Sequence, residues 1–342
     1  MGRQVIVGAG TIGSALAERL AAQGHDVAVV SRRGVAPVGP GITGVALDAS
    51  QVEPLAALAT GAEVIYNCAN PSYHRWETDW PPLAASLLAA AERSGAVLVT
   101  LSNLYGYGPV PHAMSESDPL SATSRKGRVR TAMWLDAKAA HDAGRVRATE
   151  VRASDYFGPG ITSAGMLGER VVPRILDHRA ILLPGNLDVP HSWTFVADVV
   201  TALEIVGRDP RALGRAWHVP TAAPASVRTM VDRLAAVAGL DTPAVRRLPW
   251  GVLGAAGLVV TDLREMREIA YQFDAPFVVD SSDFSTTFGV CPTELDAALR
   301  STVAWWRRQR GFPLPSMLVS ISSRQMGEPV GSGRLWAREH TG

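Results

Sequence analysis

Three glycines near the N-terminus have the types and spacing of a phosphate cradle: Gly8-Ala9-Gly10-Thr11-Ile12-Gly13 reads GxGxxG. The run Gln4–Gly8 before it predicts a buried strand, and Thr11–Gln23 after it predicts a helix with Ile12, Leu16 and Leu20 on one face. In that setting Gly8 makes the tight turn, Gly10 lets the backbone approach a pyrophosphate, and Gly13 lets helix close on strand. The free amides of Thr11, Ile12 and their neighbours, together with the helix dipole, favour the phosphate charge. The chemistry implied is dinucleotide binding.

The end of the next strand, Val27–Val30, carries Ser31-Arg32-Arg33 and no carboxylate. An acid there accepts hydrogen bonds from the ribose hydroxyls of NAD. Guanidinium groups and a serine hydroxyl instead suit a 2′-phosphate, so the expected cofactor is NADP(H). Asp48, after a third strand near Val45–Leu47, is read either as an acceptor for the adenine amino group or as a turn residue. Asn67 and Ala69 end a fourth strand, Glu63–Cys68, on the edge where such sheets bind ligands. Cys68 between them reads as a small hydrophobe, because nothing nearby in sequence activates a thiol.

Positioning these residues requires alternating β and α segments. A helix at Leu83–Ser94, a strand at Ala96–Leu101, a loop over 106–124, a helix near Gly127–Ala143 and a strand at Glu150–Ala153 continue the pattern. The fold class expected is α/β, a Rossmann-type doubly wound parallel sheet with a smaller C-terminal substrate lobe. The boundaries expected are 1–155 for the cofactor domain, 156–312 for the end of the sheet and the lobe, and 313–342 for a mobile tail with little periodicity. The lobe carries strand signals at Ala180–Leu183 and Trp217–Val219, and helical ones near Asp198–Val206, Val227–Gly239 and Glu294–Gln309.

Composition narrows the class. The 342 residues are 47% hydrophobic with a formal net charge of +1, which draws neither nucleic acid nor an acidic membrane. Only two cysteines occur, far apart and outside any ligand spacing, which suggests a reducing cytoplasmic compartment. No HExxH or paired-histidine spacing indicates a metal.

Later segments resemble the extended short-chain dehydrogenase/reductase family, which includes nucleotide-sugar epimerases and dehydratases. Thr100-Leu101-Ser102-Asn103-Leu104-Tyr105-Gly106 is similar to its strand ending in Tyr-Gly, and Glu116-Ser117-Asp118-Pro119 to its acidic loop. Arg152-Ala153-Ser154-Asp155-Tyr156-Phe157-Gly158-Pro159-Gly160 resembles its Gly-Pro-Gly turn, and Trp193–Val200 its Phe-Val-x-Asp-Asp-Val segment. The resemblance covers roughly residues 4 to 310.

The departure lies at the reaction centre. Family catalysis uses Tyr-x-x-x-Lys with a nearby Ser or Thr. The only lysines here are Lys126 and Lys138, and positions 122 and 134 are Ala and Trp, so the motif is absent. Lys126-Gly127-Arg128-Val129-Arg130 aligns best with the family's Tyr-Gly-x-Ser-Lys, which places Lys126 at the tyrosine position and Arg130 at the lysine position. Lys126 is then either a charged anchor or a desolvated acid. Arg130 stabilises charge only, and Ser102 donates a hydrogen bond to a substrate carbonyl. Tyr105, read as packing, and Tyr107, read as freer, are the candidate replacements for the missing acid.

Two functions follow. One is an NADP(H)-dependent oxidoreductase, or an epimerase/dehydratase-like enzyme, acting on a small carbonyl, alcohol or sugar-like substrate. The other is a non-catalytic NADP(H)-binding sensor, with the tail and Trp336 as partner contact. The resemblance implies a possible homodimer.

Overall fold

The computed structural model describes residues 2–163, 165–251 and 267–311. The expected tail 313–342, with Trp336, lies outside the described residues. Seven parallel strands form the central sheet: β1 (Arg3–Val7), β2 (Asp26–Ser31), β3 (Ile42–Ala46), β4 (Ala62–Asn67), β5 (Val97–Asn103), β6 (Arg147–Ala153) and β10 (Ala216–His218). Their order is β10-β6-β5-β4-β1-β2-β3. The order reverses between β1 and β4, which pair from Gln4↔Val64 to Val7↔Asn67. Ligands bind such sheets at that switch point, beyond the carboxyl ends of the strands.

Buried Val5, Ile6, Val27, Val29, Ile65 and Val99 explain why these runs are strands: both faces are covered. Helix α1 (Thr11–Ala22) packs through Leu16 and Leu20. Helices α2 (Val52–Leu58) and α3 (Trp76–Ser94) lie against each other, and α4 (Arg125–Asp142) packs on α3. The helix expected at Leu83–Ser94 is longer in the structure. It begins at Trp76, with Pro81 and Pro82 inside it. Glu77 and Thr78, whose carbonyls lose amide partners to those prolines, are exposed to water. The extra turn places Trp76 and Trp80 against the sheet.

Beyond Ala153 the chain serves two places. Short strands β7 (Asp155–Phe157) and β9 (Trp193–Phe195) pair in parallel, and α6 (Val196–Arg208) returns to cover the sheet. Gly207 permits that closeness: a Cβ there would meet the Tyr66 ring at 2.9 Å. A second cluster joins α5 (Val172–Leu176), the pair β8 (Ile181–Pro184) and β11 (Val245–Leu248), α7 (Val227–Ala238) and the helix Leu295–Gln309. Among the described residues no helix is long and apolar enough to cross a membrane.

Candidate active site

The glycine turn has the geometry its sequence dictates. Gly8 has φ +113, and a Cβ there would lie 2.6 Å from the Cys68 carbonyl group. A Cβ on Gly13 would strike the Gly8 carbonyl oxygen, whereas one on Gly10 meets nothing within 4 Å. Two glycines are therefore demanded by the fold, and the third faces open space beside the start of α1. That start has no side-chain cap and no acid in its first turn, so its amides are left for an anion. Thr11 Oγ1 ties the turn to the Gly160 carbonyl at 2.9 Å. Asn67 is buried. Its Oδ1 accepts the Ala69 amide at 3.3 Å, and its Nδ2 has no partner. These features fit a dinucleotide pyrophosphate.

Arg32 and Arg33 are exposed at the end of β2, and Ser31 Oγ donates to the Val35 carbonyl. Asp48 is exposed, and its Oδ1 accepts both the Ser50 amide at 3.0 Å and the Ser50 hydroxyl at 2.8 Å. Those bonds, aided by the Arg32 charge, hold its carboxyl below the usual range. The Arg32 charge also acts on Asp79 of α3. Burial pushes the Cys68 thiol up to about 12, so it is no nucleophile at neutral pH.

A second cluster forms where α4 meets the ends of β4 and β5. Ser124 caps α4 by accepting the Gly127 amide at 3.1 Å. A Cβ on Gly127 would come within 2.6 Å of the Tyr105 carbonyl oxygen, so this glycine sets how closely α4 approaches β5. Lys126, read as solvated or desolvated on equal terms, is 2% exposed. Glu268 receives both its amide and its Nζ at 2.9 Å, and this pair, against the cost of burial, holds the Glu268 carboxyl low.

Arg130 is 6% exposed and lies between two indoles, 4.6 Å from the Trp76 centroid and 4.4 Å from that of Trp80. Its Nε and Nη1 have no hydrogen-bond partner. Burial, the largest influence, draws its pKa down, while Glu150, Tyr156, Tyr73 and Tyr105 act the other way. Ser102 is 3% exposed and faces the buried Glu150 carboxylate, whose charge its hydroxyl stabilises. Ser102 and the Arg130 charge thus act on the Glu150 carboxylate, and Lys126 pairs with Glu268.

Tyr107 corrects the sequence reading. It is fully buried, not free, and its hydroxyl receives Arg152 Nη1 at 2.6 Å and bonds His218 Nε2 at 2.7 Å. Tyr105 is buried too, but its hydroxyl lies 2.7 Å from that of Tyr73, a residue the sequence reading passed over. Its place four residues after Ala69 was the one available signal. Asp155 and His191 also converge unannounced, with Oδ2 and Nε2 2.7 Å apart. Among the described residues no group of three or more metal-type side chains forms.

A doubly wound sheet with a glycine turn at its switch point defines a nucleotide-binding Rossmann protein. Residues 5–219 match the NAD dependent epimerase/dehydratase family, and the chain belongs to it. It is similar to a dTDP-6-deoxy-L-talose 4-dehydrogenase (NAD(P)(+)) of Kitasatospora kifunensis, 26% identical over 254 residues, 70% of this chain and 79% of that one. Among solved structures it is similar to a dTDP-glucose 4,6-dehydratase of Bacillus anthracis in complex with NAD. There the identity is 16% and the TM-score 0.75, over 91% of this chain and 98% of the other. MoeE5 in complex with UDP-glucose and NAD is 22% identical with a TM-score of 0.74, over 90% of this chain and 100% of that one. These structural likenesses show the fold.

Proposed function

We propose that this chain is an NADP(H)-linked oxidoreductase of nucleotide sugars, working at a carbonyl or secondary alcohol of the sugar. The observation that carries the reading is the open face of Gly10 beside the uncapped start of α1, at the point where the strand order reverses. The activity of the Kitasatospora relative supports a sugar substrate. Arg32 and Arg33, with no acid at the end of β2, support NADP(H) over NAD(H).

When bound, the nicotinamide ring supplies or removes a hydride at the sugar carbon. The chain's own residues hold and polarise. Gly8, Gly10 and Gly13, with the amides of Thr11 and Ile12, seat the pyrophosphate. Ser31, Arg32 and Arg33 take the ribose phosphate, Asp48 the adenine, and Asn67 and Ala69 line the crevice. Lys126 and Arg130 place positive charge at the reaction centre, and Ser102 donates to the substrate oxygen only in place of its bond to Glu150. The segment 156–312 is assigned the end of the sheet and the lobe that takes the sugar. The assembly proposed is a homodimer, which sedimentation of the purified chain checks.

Fluorescence titration with NADPH and NADH tests the cofactor choice. Arg32→Ala is expected to weaken NADPH roughly tenfold, about 1.4 kcal/mol, and to leave NADH unchanged. Equal affinities in the unaltered protein overturn it. Turnover is tested with dTDP-6-deoxy-L-talose and NADP⁺. The missing Tyr-x-x-x-Lys favours a second reading, a sensor that binds NADP(H) without chemistry. Tight NADPH binding with no turnover of any nucleotide sugar establishes that reading instead.

A further inference from the structure

We propose that Tyr73 is the proton-transferring acid of this site, with Tyr105 as its positioning partner, rebuilding from four separate segments the phenol–cation couple that the sequence lacks. The inference deepens the oxidoreductase reading and rests on it.

The phenols of the chain sort themselves by surroundings. Tyr66 and Tyr107 are fully buried, and Tyr107 is held by Arg152 and His218. Tyr271 has a buried hydroxyl without a partner. Tyr105 is buried, and that burial, with neighbouring Tyr73 and Asp155, pushes it well above the ordinary range. It keeps its proton and is a donor. Tyr73 is the half-buried member of the pair, at 2.7 Å from Tyr105 Oη. Proton transfer needs a phenol that reaches the crevice and a second group that holds the phenolate left behind. Tyr105 is the second group, and the partial exposure of Tyr73 is what assigns it the first role.

The charges are in place as well. Lys126 Nζ lies 5.4 Å from the Tyr73 ring centroid, and Arg130 is electrostatically coupled to both Tyr73 and Tyr105. Trp76 packs beside both rings, 5.0 Å from Tyr73 and 6.0 Å from Tyr105, which fixes their mutual position. Tyr73 follows the end of β4, and Tyr105 follows the end of β5. Of these, β4 adjoins β1 and its glycine turn, with the Gly8 backbone directly against Cys68, and β5 lies one strand further out beside β4. The phenol pair therefore stands on the sheet edge where the nicotinamide belongs.

The step balances simply. In reduction the sugar carbonyl carbon takes a hydride from the reduced nicotinamide cofactor. The C=O π pair then forms the new O–H bond with the Tyr73 proton. The phenolate left on Tyr73 accepts a hydrogen bond from Tyr105 and is later reprotonated by water. Alcohol oxidation is the reverse. The titratable groups around the pair are Lys126 and Arg130 from α4, Glu268 beside Lys126, and Asp155 and Tyr156 from β7.

Four readouts test this on the full chain, with dTDP-6-deoxy-L-talose and NADP⁺ as probes. Tyr73→Phe is expected to lower kcat roughly 100- to 1000-fold, with KM and NADPH affinity within about threefold. Tyr105→Phe should lower kcat about tenfold and move the limb of its pH profile set by the base to higher pH, because the phenolate loses its donor. Tyr156→Phe, the neighbouring half-buried phenol, should keep the rate. The solvent deuterium isotope effect on kcat should change in Tyr73→Phe, which a merely structural role would leave unmoved. A full rate in Tyr73→Phe, or the loss falling on Tyr156→Phe, overturns the proposal. If the unaltered protein turns over no nucleotide sugar but binds NADPH, the oxidoreductase reading fails and the role of Tyr73 falls with it, whereas a full rate in Tyr73→Phe overturns the Tyr73 proposal alone.

Discussion

Two guanidinium groups are buried to nearly the same degree, and they live in opposite surroundings. Arg152, on β6, is 3% exposed and gives Nε to Glu150 at 2.7 Å and Nη1 to Tyr107 at 2.6 Å. Burial opposes its charge, but Glu150 and Tyr107 outweigh that and raise its pKa. Arg130, on α4, has flat aromatic faces on both sides and two nitrogens with no acceptor, and burial pulls its pKa down. A saturated buried charge holds a fold together. An unsaturated one is kept at a cost, and such groups mark sites that await a ligand.

The sharpest test of the saturated side is Arg152→Met. It strands the Glu150 carboxylate and removes the Tyr107 donor, so a loss of about 3–5 kcal/mol of stability is expected in chemical denaturation. A loss under about 1 kcal/mol would show that the pair is not holding the sheet.

The same network predicts an acid sensitivity. Arg152 donates to the Tyr107 oxygen, the Tyr107 hydroxyl donates to His218 Nε2, and His218 Nδ1 donates to the Asp280 carbonyl at 2.8 Å. Every proton in that chain is assigned with the imidazole neutral, and burial lowers the His218 pKa from 6.5 to about 4. The unfolded chain therefore takes up this proton first on acidification. Stability is complete above about pH 6.5 and falls as pH drops toward about 4, by about 3 kcal/mol in all. Glu116, with Oε2 3.8 Å from His218 Nδ1, has its pKa raised by burial and changes stability in the opposite sense. The difference between the unaltered protein and His218→Gln at pH 7 and pH 5 isolates the histidine. Equal slopes would break the assignment.

The cofactor turn offers a separation of the same kind between fold and ligand. Gly10→Ala adds a methyl group to open space, so the midpoint of thermal unfolding should stay within about 2 °C. NADPH affinity should fall roughly 10- to 100-fold, about 1.4–2.7 kcal/mol. Gly13→Ala should unfold the turn itself, since its Cβ meets the Gly8 carbonyl.

These contrasts explain what the sequence disclosed. The glycine turn was legible because its strand, turn and helix are contiguous, and Gly8 and Gly13 answer local steric rules. The sheet was legible for the same reason, through short apolar runs between helical patterns. The reaction centre was not. Tyr73 comes from the loop after β4, Tyr105 from the end of β5, Lys126 and Arg130 from α4, and Glu268 from 142 residues beyond Lys126. Only tertiary packing joins them. Tyr107 misled for a related reason: its partners, Arg152 and His218, lie 45 and 111 residues away. The apolar pattern of α3 begins at Leu83, so the earlier turns that carry Trp76 and Trp80, and with them the surroundings of Arg130, were not legible.

The smallest effect expected is also the one that decides the comparison. Arg130→Met removes two unsatisfied nitrogens, which relieves about 1–3 kcal/mol of desolvation cost. It also removes stacking of a cation on two indoles, worth about 0.5–2 kcal/mol for each ring. The methionine thioether still packs between Trp76 and Trp80. These terms nearly cancel, so the net change in stability should stay within about 1 kcal/mol of zero. Turnover or NADPH affinity should nonetheless fall, because a positive charge beside Tyr73 and Tyr105 is gone. If Arg130→Met instead destabilises the protein as strongly as Arg152→Met, both guanidiniums are structural. The unpaired nitrogens of Arg130 would then carry no functional meaning.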